Sequence, residues 1–309
     1  MTFDVALGAR AIGARLGWPA DTTCDIRVLG EEPGQRLVVE YLRRPSGPSV
    51  IGKFYANRAG EGAFRALRGL DRLLAREPGP PVLRLPKVLL YKAEMGLLAQ
   101  QFVTGTPYPE LLRKGNIRPF FERAGQALGI LHRQRPRLGR TAWLEDHLRD
   151  LIHPHPRTLT RRWPEYAPMV KALLDGMAQR EHALRGDVEP TAVHRDFHLR
   201  QLFFDAGEVG LIDWDLFARG DPALDVGNFL VYLETHLTTS LASQARMAFL
   251  AGYGSGPLAA MLRRIPLYQA FTYLRLACKS ARRQAENWQA RTWEFLRTAD
   301  RHLAAESLA

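Results

Sequence analysis

The chain has 309 residues, 46% hydrophobic and 24% charged, a balance ordinary for a globular protein and long enough for two modest domains. Its formal net charge of +11 argues against a strongly polycationic substrate and gives weak support to an anionic one. No apolar run approaches bilayer length, no repeat or low-complexity tract is visible, and the N-terminal stretch, with Asp4 and no long apolar centre, does not read as a signal peptide. Neither a membrane partner nor secretion is therefore expected. Cys24 and Cys278 form no ligand pattern and read as buried thiols in a reducing, cytoplasmic setting. Of the 43 basic residues only Lys53, Lys87, Lys92, Lys114, Lys171 and Lys279 are lysines. The arginines are spread along the chain without a dense basic run interleaved with aromatics, which disfavours nucleic acid as a partner.

Residues 26–55 alternate short β-rich runs with turn signals. Arg36 to Tyr41 and Val50 to Tyr55 carry valines and aromatics, and the separators Gly30 to Gly34 and Arg44 to Pro48 are turn-like, so a meander is predicted. Over 60–76, Phe64, Leu67, Leu70, Leu73 and Leu74 recur at helical spacing, and the run from Glu77 to Pro81 ends the helix. Val88 to Tyr91 and Leu97 to Val103 read as strands, and 104–107 as a connector. Beyond it the pattern is mostly helical: 119–133 is an amphipathic helix, 134–157 is broken by prolines and rich in arginine and histidine, 165–185 is another helix, and helices resume from about 222. Between them, Gln201 to Phe204 and Val209 to Ile212 are β-like. The order is a small β-rich lobe with one helix, a connector near 101–107, and a large helical lobe, an arrangement that leaves a cleft for a ligand.

The chemistry concentrates in 193–229. Asp196 lies among His194, Arg195 and His198 just before a strand, and Asp213 follows the apolar run Val209 to Ile212, so a hairpin brings the two carboxylates to one end. From 205 to 234 there are seven acids, Asp205, Glu208, Asp213, Asp215, Asp221, Asp225 and Glu234, and one base, Arg219. Close carboxylates repel unless something cationic sits among them, and Mg²⁺ with its oxygen ligands is the natural candidate. Asp221 before Pro222 reads as a helix cap, and Asp225 also reads as structural. Asp213, between an apolar strand and Trp214, needs a partner that a metal supplies. Lys53, amid Val50, Ile51, Phe54 and Tyr55, is a compact ammonium that arginine does not cleanly replace.

The run from His194 to Gln201 (HRDFHLRQ) resembles the catalytic loop of the aminoglycoside phosphotransferase and choline kinase superfamily. Ile212 to Asp215 followed by Gly220 to Ala223 and Asp225 is similar to that family's metal-binding segment. Weaker similarities lie at Leu128 to His132, Leu85 to Leu89 and Leu97 to Gly105. The resemblance implies an α+β, bilobal protein-kinase-like fold, with residues 1–103 as the nucleotide-binding lobe and 104–309 as the lobe of catalytic loop, metal site and substrate helices. It implies an ATP- and Mg²⁺-dependent phosphotransferase acting on a hydroxyl of a small molecule, with GTP as the other nucleotide to test. Asp196 would accept or orient the hydroxyl proton. Gln201 and Asp213 would hold Mg²⁺, and Lys53, paired with Glu61, would bind the α- and β-phosphates. The backbone of Gln101, Phe102 and Val103 would meet the adenine edge.

Three departures stand beside the resemblance. Position 201 is glutamine where the family usually has asparagine. No glycine-rich phosphate loop is evident, Gly30 to Gly34 being the one candidate. Arg195 stands where small-molecule members commonly have glycine. The first two keep open a retired kinase fold used for binding; Arg195 keeps open a kinase of Ser/Thr in a peptide or natural-product precursor. The pair His153 and His155 lacks further ligands at metal-binding spacing and reads as loop. The stretch 261–309, with nine basic and four acidic side chains and with Trp288, Trp293 and Phe295, reads as packed helix that could also line a substrate site.

Overall fold

The computed structural model describes residues 3–19, 21–44, 47–56, 59–113, 115 and 117–305; Pro45 and Ser46 of the turn expected at 44–48 lie outside them. In chain order the elements are α1 (Val5–Leu16), β1 (Cys24–Glu32), β2 (Arg36–Arg43), β3 (Val50–Tyr55), α2 (Ala59–Leu74), β4 (Leu83–Arg84), β5 (Val88–Lys92), β6 (Leu97–Gln101), β7 (Thr106–Pro107) and α3 (Tyr108–Arg113). Then follow α4 (Arg118–Arg133), α5 (Leu144–Leu151), α6 (Pro156–Arg162), α7 (Ala167–Leu184), β8 (Thr191–Val193), β9 (Leu202–Asp205), β10 (Glu208–Leu211) and β11 (Ala218–Gly220). The chain ends with α8 (Ala223–His236), α9 (Thr239–Tyr253), α10 (Ser255–Ala259), α11 (Ile265–Arg283) and α12 (Trp288–Ala304). The chain forms two compact units: the first takes the residues up to Arg113 with Pro136–Gly139 and Gln201–Phe217, the second the remainder.

In the first unit an antiparallel sheet has the order β1-β2-β3-β6-β5. Because side chains alternate across a strand, Val39, Tyr41, Val50 and Phe54 share one face and bury together with Leu97 and Ala99. The opposite face carries Ile51 and Lys53, with Val38 paired to Lys53 on β2. The first face is covered by α1, a helix the sequence reading did not include. Asp4 caps it by accepting the Leu7 N–H at 2.8 Å, Gly17 ends it at φ 66°, and Ile12 reaches the core. The lobe read as having a single helix thus carries α1 beside α2. A second sheet, β4-β10-β9-β7, includes the hairpin β9-β10.

The second unit is helical apart from the small ribbon β8-β11. The proline-broken stretch after 134 contains α5, whose Leu144, His147 and Leu151 are buried at helical spacing while Asp146 accepts the Trp143 N–H at 3.0 Å. In α8 every residue from Ala223 to Leu233 is buried, and only the last turn, Glu234 to His236, is not. Helices α4 and α9 meet at glycine: a Cβ on Gly125 would lie 2.0 Å from the Phe249 carbonyl oxygen, and one on Gly252 1.9 Å from that of Glu122. Two backbones touch there, and no side chain fits between them. Gly125→Ala should therefore cost about 1–3 kcal/mol by forcing the helices apart. Gly62→Ala on α2, where a methyl meets nothing within 4 Å, should be neutral or gain up to about 1 kcal/mol. Urea denaturation of the two variants checks the contrast.

Candidate functional site

The site in the first unit begins with the β9-β10 hairpin. Its ladder continues past the strands, the Ile212 N–H donating to the Gln201 carbonyl at 3.1 Å, so Gln201 and Asp213 emerge at the same end. Asp213 is left-handed at φ 66°, a region that aspartate tolerates better than most residues. The next residue holds it there: Trp214 is buried and donates its indole N–H to the Leu211 carbonyl at 2.8 Å. The turn 214–216 also packs on α2 and carries Asp215.

These carboxylates meet two cations from the sheet. Lys53 Nζ lies 2.7 Å from Asp213 Oδ1 and 2.9 Å from Asp215 Oδ1. Arg36 places Nη1 2.5 Å from Asp215 Oδ2 and 3.7 Å from Asp213 Oδ1, and Tyr55 donates its hydroxyl to Asp215 at 2.8 Å. Burial works against the Lys53 ammonium, but Asp215 and Asp213 outweigh it and hold its pKa above the ordinary lysine value. Burial likewise pushes Asp215 up, yet Lys53, Tyr55 and Arg36 keep it below the usual carboxylate range. Glu61, foreseen as the partner of Lys53, instead pairs with Arg65 one turn along α2 at 2.5 Å. The physical reason is that the Trp214-anchored turn delivers Asp215 to the buried ammonium from the other side.

Lys53, Arg36, Gln201 and Asp213 all line one cavity of about 270 Å³, together with Gln101, Phe102 and Val103 and the apolar side chains of Leu29, Val38, Ile51, Phe203 and Ile212. Gly30, at a bulge in β1, also reaches its wall. Of the three amides at the end of β6, that of Gln101 donates to Lys87 at 2.8 Å and that of Phe102 to Ser49 at 3.3 Å. The Val103 amide makes no hydrogen bond with the described residues although the residue is buried. Asp213 Oδ2 and the Gln201 side-chain amide are likewise without a protein partner. Among the described residues no group of three or more His, Cys, Asp or Glu is placed to hold a metal alone. Such a donor set suits Mg²⁺, which binds through one or two protein oxygens and completes its shell with phosphate and water.

The second unit holds the other candidate. After β8 the chain turns through Arg195 at φ 69° into Asp196. Asp225, fully buried on α8, accepts the His194 N–H at 2.6 Å and the Arg195 N–H at 2.7 Å, and meets His132 Nε2 at 3.2 Å. One turn on, Asn228 donates to the Phe197 carbonyl at 2.9 Å. These two side chains of α8 bracket Asp196. Its Oδ1 accepts from Arg275 at 2.9 Å and its Oδ2 lies 3.5 Å from His198 Nε2. His198 Nδ1 accepts the Arg200 N–H at 3.2 Å, so the proton sits on Nε2, toward Asp196. Burial pushes the Asp196 carboxyl up, but His198 and Arg275 outweigh it and hold it well below the usual range. Arg195 is itself buried and committed, to Asp150 at 2.9 Å and His147 at 3.2 Å. Asp221 caps α8 by accepting the Ala223 N–H at 2.9 Å and also forms a buried ion pair with Arg264 at 2.9 Å.

The sequence reading had no role for Arg36, Tyr55, Asp215, Asn228 or Arg275. Asp215 was visible two residues after Asp213; the arginines were hidden among so many others.

With this geometry in hand, comparison with known proteins gives a consistent result. The family model of the phosphotransferase enzyme family (APH) matches residues 39–268. This chain belongs to that family. Among curated proteins none matches it. Among solved structures it is similar to a choline/ethanolamine kinase family protein from Mesorhizobium loti, at 17% identity and TM-score 0.62, covering 97% of this chain and 95% of that one. It is also similar to the GDP and kanamycin complex of APH(2")-IIia, at 15% identity and TM-score 0.60, covering 96% and 98%. A third is amicoumacin kinase hAmiN in complex with AMP-PNP, Ca²⁺ and Ami, at 16% and 0.61, covering 89% and 88%. At these identities the likeness shows the fold, which is kinase-like.

Removing the ammonium from this cluster leaves the mostly buried Asp215 and the partly exposed Asp213 short of a partner. Lys53→Met should lower stability at pH 7 by about 3 kcal/mol. Asp215 has a depressed pKa, so its contribution is present above the unfolded value of 3.8 and lost as pH falls through the folded one. The deficit of the variant should therefore shrink as the solution is acidified toward and below pH 4, which denaturation curves across pH 3–8 would show.

Proposed function

We propose that the protein is a small-molecule kinase that transfers the γ-phosphate of ATP to a hydroxyl group. The observation that carries this reading is the single cavity onto which Lys53, Asp213, Gln201 and the unengaged Val103 amide converge. The Val103 N–H would donate to the adenine edge between the apolar walls of Val38, Ile51 and Ile212. Lys53 and Arg36 would meet the phosphates, and as they turn to them the carboxylates they now hold are released. Asp213 Oδ2 and the Gln201 amide oxygen would hold Mg²⁺, which when bound neutralises phosphate charge. The longer arm of glutamine is accommodated because the residue sits at the open end of the hairpin.

Asp196 would receive the acceptor's hydroxyl. With His198 and Arg275 keeping it ionised, it is a weak base that orients the hydroxyl and takes the proton as the oxygen–phosphorus bond forms. The clamp from Asp225 and Asn228 fixes its direction without touching the reacting atoms. Arg195, which had kept open a kinase of Ser/Thr in a peptide, is buried against Asp150 and His147, so that motive for a peptide substrate falls away.

Calorimetric titration with ATP and with GTP, with and without Mg²⁺, tests the nucleotide site. Binding that needs Mg²⁺ and is lost in Asp213→Ala is expected; a wild type that binds neither nucleotide would refute the kinase reading. Once an acceptor is in hand, Asp196→Asn should lower kcat by roughly 10²- to 10⁴-fold with little change in nucleotide affinity. The depressed Asp196 pKa predicts no acid limb from this group between pH 5 and 8 in the kcat profile.

A further inference from the structure

A second cavity, of about 210 Å³, lies in the helical unit between α8, α11 and α12. Tyr232 and His236 come from α8, Lys279 and Arg283 from α11, and Trp288, Arg291 and Phe295 from α12. It is connected to Asp196 by contacts on both sides. His198, beside Asp196, packs against Tyr232 with ring centres 4.6 Å apart and planes tilted by 30°, and Tyr232 stacks on His236 at 5.2 Å. On α11, Arg275 bonds Asp196 and is followed by Lys279 and Arg283 at intervals of four residues. Four residues advance about 6 Å along one helix face, so the three cations form a row running from Asp196 along the cavity wall.

Arg275 is paired with Asp196, but the two cations beyond it are not neutralised by the described residues. Lys279 and Arg283 make no hydrogen bond or ion pair with the described residues, and Arg291 lies over the Phe295 ring at 5.8 Å. The acid on the lining is Glu286, against Lys279, Arg283 and Arg291. Lys279 is half-buried, and burial together with Arg283 and Arg275 lowers its pKa. Like charges four apart on a helix repel, and a bound anion relieves that repulsion. The macrodipole favours Arg283 in the last turn of α11 but falls off within that turn and does little for Lys279, four residues earlier.

We infer that this cavity is the acceptor site and that the acceptor is an anionic alcohol, a small hydroxyl compound bearing a carboxylate or phosphate. The inference rests on the kinase reading given above. The anionic group sits among Lys279, Arg283 and Arg291, a ring or carbon chain lies against Tyr232, Trp288 and Phe295, and a hydroxyl is presented to Asp196. In the transfer the acceptor oxygen gives its proton to the Asp196 carboxylate and forms a bond to the γ-phosphorus. The bond from that phosphorus to the β,γ-bridging oxygen breaks, and ADP leaves with the electron pair. The cavity is smaller than the roughly 300–1,000 Å³ usual for drug-sized ligands, which limits the acceptor to about the size of one sugar ring.

The test uses three probes of one shape and different charge: glucuronate, glucose and glucosamine. Each is titrated calorimetrically into the full chain holding the non-hydrolysable nucleotide AMP-PNP and Mg²⁺. Glucuronate should bind at least about tenfold more tightly than glucosamine, and the preference should weaken with salt. Lys279→Met should reduce it about tenfold; Arg291→Gln, on an exposed side chain, should reduce it in the same direction and serves if the first variant fails to fold. Equal binding of the three, preference for glucosamine, or no binding of any overturns the inference. Nucleotide titration on the same preparations separates the two claims. ATP binding without anion preference overturns this inference alone, whereas anion preference without ATP binding supports the anion site and overturns the kinase reading.

Discussion

A carboxylate with no exposed surface orders the loop on which Asp196 sits. Burying the charge of Asp225 costs on the order of several kcal/mol unless its oxygens are met, and they are met by the His194 and Arg195 amides and by His132. Because the donors are backbone groups at fixed spacing, satisfying the charge also sets the path of the chain, including the left-handed turn at Arg195. The buried Arg195 side chain is in turn held by Asp150 and His147. The backbone at Asp196 is therefore placed by Asp225 on one side and Asn228 on the other, and its carboxylate is then met by Arg275 and His198.

The same constraint explains why the acidic island from 205 to 234 is not one metal cage. Its members are neutralised separately. Asp213 and Asp215 are met by Lys53 and Arg36, Asp221 by Arg264, and Asp225 by amides. Glu234 accepts from Tyr273 at 2.6 Å, and Glu208 lies 3.6 Å from Arg84. Of these acids, Asp213 is the one that lines the cavity of Lys53, and there it keeps Oδ2 free of the described residues. In the proposed kinase, a site with so few protein ligands would bind its metal as part of a complex with phosphate, which would couple metal affinity to nucleotide.

Positive charge is likewise not a uniform coat. Much of the arginine is consumed in local pairs, such as Arg264 with Asp221 and Arg140 with Asp146. What stands out against that background is the row beyond Arg275, where cations share a wall with aromatic rings and outnumber the one acid on it, Glu286. A net charge of +11 could not reveal this, because it counts paired and unpaired groups alike.

Local signals were legible in the sequence. Alternation marked β3, and helical spacing marked α2, α4 and α7. The runs His194 to Gln201 and Ile212 to Asp225 carried the resemblance to a family that the chain proves to belong to. These are properties of neighbouring residues, whose periodicity and spacing need no tertiary context. The helix α1 was missed because Gly8 and Ile12 are its only fully buried positions, too few to make a periodic stripe. The partner of Lys53 could not be read either: Asp215 is 162 residues away, and whether it or Glu61 reaches the ammonium depends on how Trp214 is buried. Pairings across such distances are decided by which charges the folded chain must bury together, and that is settled only once the sheet, the hairpin and the helices have packed.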